Sequence, residues 1–139
     1  MKKILCMIAV LAAFASCSKD DNENDKGTVL GKWNYNQVSA TINGELVVGD
    51  YPGNEEGCPK DFLDFKQNGT VSVTDYSKEN STCQSEVNDG TYAISGNSVS
   101  VAIDGGTFSG EITQLTNTDM VVMGTLGDLE NVTFSFKRQ

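Results

Sequence analysis

From residue 28 onward the sequence is a series of short segments rich in β-branched and aromatic residues, each bounded by glycine, asparagine or aspartate. No segment keeps the period of an amphipathic helix for three turns, whereas several segments alternate apolar and polar residues. Such segments form strands that bury one face and expose the other. The pattern predicts nine strands, at residues 28–41, 45–48, 61–66, 70–76, 91–95, 98–103, 107–115, 120–125 and 131–137.

The connections between these segments are mostly tight turns. Asn43-Gly44 and Asn68-Gly69 supply the positive φ angles of type I′ hairpin turns. Successive hairpins make an antiparallel up-and-down meander, which either closes into a barrel or folds over as a sandwich. We predict an all-β barrel of eight to nine strands, because closure removes the edge strands that invite aggregation. An even number of strands closes such a meander, so residues 45–48 are interpreted as a short flap.

The alternation also indicates which side chains face the interior. Val71 and Val73 alternate with Ser72 and Thr74, so the valines are predicted to be buried and the hydroxyl residues solvated. Two long connections, residues 49–60 and 77–89, are predicted to flank an open end. Nine apolar residues are candidates either for lining a ligand cavity or for filling a closed core: Phe65, Val73, Tyr92, Ile94, Val101, Phe108, Ile112, Met123 and Phe134.

Residues 1–16 have the organisation of an export signal. Two lysines precede an apolar run that is too short to span a bilayer, and small residues then precede Cys17. The segment Phe14-Ala15-Ser16-Cys17 resembles a lipobox, in which lipoprotein signal peptidase cuts before a diacylglyceryl-modified cysteine. The resemblance implies a lipid on Cys17 that anchors the mature protein to a membrane. The alternative is a soluble secreted protein.

Residues 18–25 form a polar, mostly acidic run without an apolar residue. Such a run cannot bury surface, so residues 17–27 are predicted to be the lipidated cysteine and a flexible tether. Residues 28–139 then form a single folded domain. An acidic run directly behind the lipidated cysteine resembles the lipoprotein export signal of Bacteroidota, which implies an outer-membrane protein exposed at the cell surface.

The composition excludes several classes of function. A formal net charge of -9 opposes binding to nucleic acid or to anionic lipid headgroups. The chain has no histidine, no nucleophile elbow and no phosphate-binding glycine loop, so we predict a non-enzymatic protein without a metal or cofactor. The nearest approach to paired carboxylates is Asp61 and Asp64, which lie three apart on a strand and therefore on opposite faces. We interpret both as solvated.

Cys58 and Cys83 are the two cysteines of the predicted domain. In an oxidising extracellular environment we expect them to form a disulfide, the alternatives being two free thiols or a partial metal site. Cys58 precedes the hairpin centred on Asn68-Gly69 and Cys83 follows it. The bond would therefore staple the base of that hairpin to the loop behind it.

Several of these segments together resemble a known family. Leu30-Gly31-Lys32-Trp33 resembles the Gly-x-Trp signature of lipocalins. The spacing of Cys58-Pro59-Lys60-Asp61, residues 65–70, Cys83 and Gly90-Thr91-Tyr92 resembles the lipocalin-like domains of small Bacteroidota-type lipoproteins. The resemblance implies that Trp33 packs across the closed end of the barrel. It also implies that a basic residue of the last strand, Arg138 or Lys137, lies on the tryptophan ring.

Two functions fit this sequence. The first is a binding module that holds a small hydrophobic ligand inside the barrel at the surface of the cell envelope. The second is a structural or interaction lipoprotein with a filled barrel, whose loops contact a protein partner of unknown identity. An interior void on the order of 300 Å³ or more favours the first function, and a packed interior favours the second.

Overall fold

The computed structural model describes residues 27–139. The predicted export signal, the lipidation of Cys17 and the tether up to residue 26 lie outside the described residues. No described helix is long and apolar enough to cross a membrane. The described strands are β1 (Gly31–Ile42), β2 (Glu45–Asp50), β3 (Phe62–Phe65), β4 (Thr70–Glu79), β5 (Thr82–Ser95), β6 (Ser98–Ile103), β7 (Gly106–Leu115), β8 (Asp119–Leu126) and β9 (Leu129–Arg138).

The predicted barrel is confirmed, because β1 pairs with both ends of the meander. One edge of β1 pairs with β2 and β3, and its other edge pairs with β9. Every strand pairing in the described range is antiparallel, and β3 to β9 follow one another in chain order around the ring. The ring closes through β1 and β9, whereas the outer edge of β2 and the distal parts of β4 and β5 extend beyond their neighbouring strands.

β2 and β3 share a single position in this ring. Gln37 of β1 pairs with Asp50 at the end of β2, and Asn34 pairs with Phe62 at the start of β3. Both strands therefore run down the same edge of β1, one after the other. This arrangement resolves the odd strand count, since nine strands occupy eight positions. The segment interpreted as a flap belongs to β2, the first of these two half-strands, and all side chains of β2 are exposed.

The chain leaves the barrel wall between these two half-strands. The Tyr51 amide donates a hydrogen bond to the Asn36 carbonyl, and the Tyr35 amide donates one to the Asp61 carbonyl. The points of departure and return are thus neighbours along β1. Residues 51–60 form an excursion that we call the side loop.

The β4–β5 hairpin is much longer than the sequence predicts. The prediction that residues 77–89 form a loop is wrong, because β4 and β5 pair without a break from Thr70↔Thr91 to Glu79↔Thr82. The turn is Asn80-Ser81, whose φ angles of 48° and 65° are both positive. Polar side chains cover both faces of this distal half, so the apolar alternation that marks a strand is missing.

The two ends of the barrel differ in their connections. Because the meander is antiparallel, the β1–β2, β4–β5, β6–β7 and β8–β9 turns lie at one end, which we call the open end. The β3–β4, β5–β6 and β7–β8 turns lie at the other, which we call the closed end. Residues 27–30 and the C-terminus also lie at the closed end, since the Gly27 amide donates to the Leu115 carbonyl and the Arg138 amide to the Thr118 carbonyl.

Trp33 seals the closed end. It is fully buried, and its indole N–H donates to the Val29 carbonyl at 2.7 Å. The Arg138 guanidinium lies 4.1 Å from the ring centroid, the contact that the family resemblance implies. Gly31 has φ +106°, and a Cβ there would lie 2.9 Å from Nη1 of Arg138. The glycine of the Gly-x-Trp segment therefore makes room for the arginine that covers the tryptophan.

One predicted solvated face is buried instead. Ser72 and Thr74 on β4 are only 6% and 7% exposed, although they point away from the interior. Thr74 pairs with Phe62 on one side and with Val87 on the other, so larger side chains of both neighbouring strands flank it on the outer surface. The alternation correctly places Val71 and Val73 in the interior, where Val71 is 1% exposed.

Candidate ligand cavity

The barrel encloses a cavity of about 630 Å³. It extends from Val29 and Met120 near the closed end to Leu126 and Leu129 at the open end, where it reaches the surface. Its walls are almost entirely apolar, so they offer few hydrogen-bonding partners to water and favour an apolar ligand. The lining residues are Val29, Tyr35, Val38, Ala40, Tyr51, Pro52, Leu63, Phe65, Val73, Val99, Val101, Ile103, Gly106, Thr107, Phe108, Ile112, Met120, Val122, Leu126, Gly127, Leu129, Val132, Phe134 and Phe136.

Most of the candidate lining residues reach this cavity. Its wall includes Phe65, Val73, Val101, Phe108, Ile112 and Phe134. Tyr92 lies beneath it at the closed end, where it packs edge-on against Phe65 at 4.9 Å and its hydroxyl donates to the Lys66 carbonyl. Ile94 and Met123 are 38% and 39% exposed and do not line the cavity.

The two exposed candidates show where alternation is ambiguous. Residues 120–123 are all apolar, so their sequence does not show which members face inward. The structure buries Met120 and Val122, which turns Met123 to the outer surface. Ile94 pairs with the buried Val99, but it lies one residue from the β5–β6 turn and is uncovered there.

A bulge in β1 explains part of the lining that the alternation misses. Tyr35 pairs with Phe136 and Gln37 pairs with Ser135, so Asn36 is an extra residue between them. The bulge shifts the inward series from Trp33 and Tyr35 to Val38 and Ala40. Strict alternation would instead turn Gln37 inward, and no local signal in the sequence marks the shift.

Aromatic rings form one side of the cavity. Tyr35 on β1 and Tyr51 at the start of the side loop stack with their centroids 4.2 Å apart and an interplanar angle of 17°. Phe136 lies 4.9 Å from Tyr35, and Phe134 meets both tyrosines edge-on at 6.2 and 6.4 Å. Stacked and edge-on arrangements are the favourable ones for aromatic pairs, so these four rings form one packed wall.

Asp61 is buried beside this aromatic wall, so its interpretation as a solvated carboxylate is wrong. It is 2% exposed and accepts a hydrogen bond from the Tyr76 amide at 2.7 Å. Its own amide donates to the Asn54 side chain, whose Nδ2 donates to the Tyr35 carbonyl. Asp61 therefore joins the side loop to β1 and β4. Desolvation raises the pKa of its carboxyl, the Tyr76 hydrogen bond lowers it, and the nearby charge of Glu55 raises it.

Further carboxylates and phenols are near Asp61. Burial raises the pKa of Asp75, and the charges of Asp61 and Glu86 raise it further. Burial likewise raises the pKa of both cavity phenols, and the charges of Asp75 and Asp61 add to the effect for each. The negative charges of these carboxylates therefore oppose further ionisation of their neighbours. No group of three or more metal-ligating side chains occurs among residues 27–139.

The side loop is fastened to the β4–β5 hairpin. The predicted Cys58–Cys83 disulfide is present, with its Cα atoms 5.7 Å apart. Cys83 lies on β5 near the open end, opposite Lys78. The bond therefore ties the side loop to the distal half of the β4–β5 hairpin, whereas the sequence predicts a staple between the base of the Asn68-Gly69 hairpin and a loop behind it. Lys78 adds a second link, because its ammonium donates to the Glu56 carbonyl at 3.1 Å.

Comparison with known proteins agrees with this architecture. The lipocalin-like domain family matches residues 29–122, and the chain belongs to this family. A lipocalin-like protein from Bacteroides uniformis is similar in structure, with 15% identity, a TM-score of 0.57 and coverage of 79% of this chain and 97% of that protein. An uncharacterized protein from Bacteroides eggerthii shows 14% identity, a TM-score of 0.54 and coverage of 79% and 98%. No curated protein matches the chain.

Proposed function

We propose that this protein is a membrane-anchored lipoprotein whose barrel binds a small hydrophobic ligand at the surface of the cell envelope. The observation that carries the proposal is the apolar cavity of about 630 Å³, which is open at one end. Barrels of this size accommodate one small ligand when side chains do not fill them, and lipocalins commonly use that space for hydrophobic molecules. A void of this volume weighs against the alternative of a filled barrel that only displays loops.

The position of the tether supports an orientation for the proposed lipoprotein. Gly27 is bonded to Leu115 at the closed end, so the preceding residues join the barrel there. Residues 17–26 span at most about 35 Å when fully extended. A lipid on Cys17 would therefore hold the closed end towards the membrane. The open end then faces the aqueous phase, from which the ligand enters.

Binding is tested with residues 17–139 carrying Cys17→Ser, so that no attached acyl chain competes for the cavity. Titration with octanol, followed by calorimetry, is expected to show one saturable site. The substitution Ala40→Phe places a ring in the cavity and is expected to weaken binding at least about tenfold, which corresponds to about 1.4 kcal/mol. Thr41→Phe is the matched control, because Thr41 is the exposed neighbour on the same strand. Absence of saturable binding, or equal affinities for the two variants, would contradict the proposal.

Anchoring and location need separate measurements. Metabolic labelling with a fatty acid is expected to mark the protein and to leave Cys17→Ser unlabelled. Brief protease treatment of intact cells is expected to remove the anchored protein from the surface. Unlabelled protein, or labelled protein protected until the outer membrane is broken, would refute the anchor or the surface exposure respectively.

A further inference from the structure

The inner wall at the open end is acidic on one side. Asp75 continues the inward-facing series of Val71 and Val73 along β4, without a bulge in the pairing on either side. Glu86 is its direct partner on β5, and partners in an antiparallel pair share a face. The buried Asp61 lies on the other side of Asp75, because the neighbouring residues Phe62 and Thr74 pair with each other. Three carboxylates on adjacent chain segments, of which Glu86 is exposed, therefore lie together at this edge of the barrel. They are not part of the apolar cavity wall, but Asp61 and Asp75 are near Tyr35 and Tyr51, which line it.

Within residues 27–139 no basic side chain forms an ion pair with these carboxylates. Among residues 27–139 the ion pair found is Lys137 with Asp119, at the closed end. The Lys60 ammonium instead donates to the Asn36 side chain, and Lys78 donates to a backbone carbonyl. Negative charges that share a partly buried site repel one another, and a cation placed among them removes this cost.

The aromatic wall next to the carboxylates is also suited to a cation. Tyr35 and Tyr51 both line the cavity, and neither hydroxyl forms a hydrogen bond within the described part of the chain. Tyrosine rings attract ammonium groups through their electron-rich faces, and this stacked pair borders the cavity. The phenol oxygens are additional acceptors for N–H donors. Carboxylates and phenol hydroxyls thus lie together at one edge of an otherwise apolar cavity.

From this arrangement we infer that the ligand is a cationic amphiphile: an apolar chain or ring that fills the barrel and carries an ammonium group at one end. The inference rests on the proposed ligand-binding function and adds the class of ligand to it. The ammonium binds beside Asp75, Tyr35 and Tyr51 near the open end, and the apolar part extends towards Met120. The same carboxylates repel an anionic headgroup, so fatty acids are disfavoured.

The test compares octylamine, octanol and octanoate, which share one apolar chain and differ in headgroup. Calorimetry at pH 7 on residues 17–139 with Cys17→Ser is expected to show octylamine binding at least about tenfold more tightly than octanol. Octanoate is expected to bind more weakly than octanol. Asp75→Asn is expected to remove most of the preference for octylamine, measured as the ratio of the octylamine and octanol affinities of the same variant. The control Glu111→Gln removes an exposed carboxylate opposite Met123 and is expected to retain the preference.

Acidification gives a second readout. Asp75 faces Asp61, Glu86, Tyr35 and Tyr51, and none of them supplies a positive charge. Protonation of the carboxyls on acidification is therefore expected to weaken octylamine binding and to spare octanol binding. Equal affinities for octylamine and octanol, or a preference that survives Asp75→Asn, would overturn the inference while leaving the proposed function intact. Failure of all three compounds to bind would overturn both.

Discussion

The closed and open ends of the barrel are built in opposite ways. At the closed end Trp33 is fully buried, and Arg138 donates hydrogen bonds to the carbonyls of Leu30, Thr28 and Asn117 while covering the indole. At the open end Leu126 and Leu129 line the cavity and are still 45% and 53% exposed. The contrast assigns stability to one end and access to the other, because a dense cap and an open mouth cannot occupy the same end of one small barrel.

The carboxylates at the two ends also differ in whether a basic partner compensates their charge. Asp119 at the closed end bonds to Lys137 and Thr118, and these partners hold its pKa below the usual value. Asp75 near the open end has its pKa raised by burial and by the charges of Asp61 and Glu86. An acid paired within the fold contributes to stability, whereas an uncompensated acid is available for a ligand.

The largest expected effect follows from removing the cap. Trp33→Ala deletes the largest fully buried side chain and is expected to lower the free energy of unfolding by about 3–5 kcal/mol. Urea denaturation measures the loss. If that variant does not fold, Trp33→Phe retains a ring and is expected to fold with a smaller loss. A wild-type midpoint for Trp33→Phe and Trp33→Ala would show that the closed end is not the stabilising end.

The double substitution Cys58→Ser with Cys83→Ser probes the open end. The cysteines are 25 residues apart, and loop-closure entropy gives a loss of about 3 kcal/mol. The released side loop carries Tyr51 and Pro52 of the cavity wall, so ligand exchange is expected to become faster as well. Reduction of the wild-type disulfide should reproduce both effects in denaturation and stopped-flow measurements. Unchanged exchange kinetics would mean that the side loop does not limit access.

Arg138→Ala is expected to cost about 2–3 kcal/mol, because three backbone carbonyls lose a charged donor and the indole loses its cover. Arg138→Lys keeps the charge without the planar fork and is expected to recover less than half of the loss. Thermal unfolding reports both values. Full recovery by lysine would show that charge alone, and not donation from three guanidinium nitrogens to three carbonyls, secures the closed end.

The smallest expected effect is a difference in the pH dependence of stability. The folded pKa of Asp75 lies above its unfolded value, so its ionised form is destabilising and Asp75→Asn is expected to raise Tm by about 1–2 °C at pH 7. That gain should vanish as pH falls below the unfolded pKa, where both states bind the proton. The folded pKa of Asp119 lies below its unfolded value, so Asp119→Asn is expected to lower Tm at pH 7 and to become neutral in acid. Thermal scans from pH 3 to 7 should show opposite trends, and parallel trends would refute the contrast.

The sequence predicts the barrel well because its interior is read from alternation, which needs only local information. Val71, Val101 and Phe134 face inward as the pattern indicates. The same local rule fails where geometry depends on a distant partner. Asp61 can be buried because the Tyr76 amide donates to its carboxylate and the Asn54 side chain accepts from its backbone amide, and these contacts exist only after the barrel closes.

The candidate site is less predictable than the fold for the same reason. The bulge at Asn36 that turns Val38 and Ala40 inward arises from the pairing of β1 with β9. Tyr51 joins the cavity because the chain leaves the wall there; Pro52-Gly53 and the predicted connection at residues 49–60 mark that exit, but they do not show that the tyrosine ring turns inward. The sequence pattern therefore identifies the class of barrel, whereas the grouping of Asp61 and Asp75 with Tyr35 and Tyr51 depends on tertiary contacts.

The most direct test of the central claim is a methyl NMR titration of residues 17–139 carrying Cys17→Ser with octanol. If the cavity is the ligand site, methyl signals of Val101, Ile112 and Val122 shift together and saturate at one equivalent. The methyl signals of Ile94 and Met123, which lie outside the cavity, should stay unchanged. Equal shifts at interior and exterior methyl groups, or no saturable shift at all, would contradict the account.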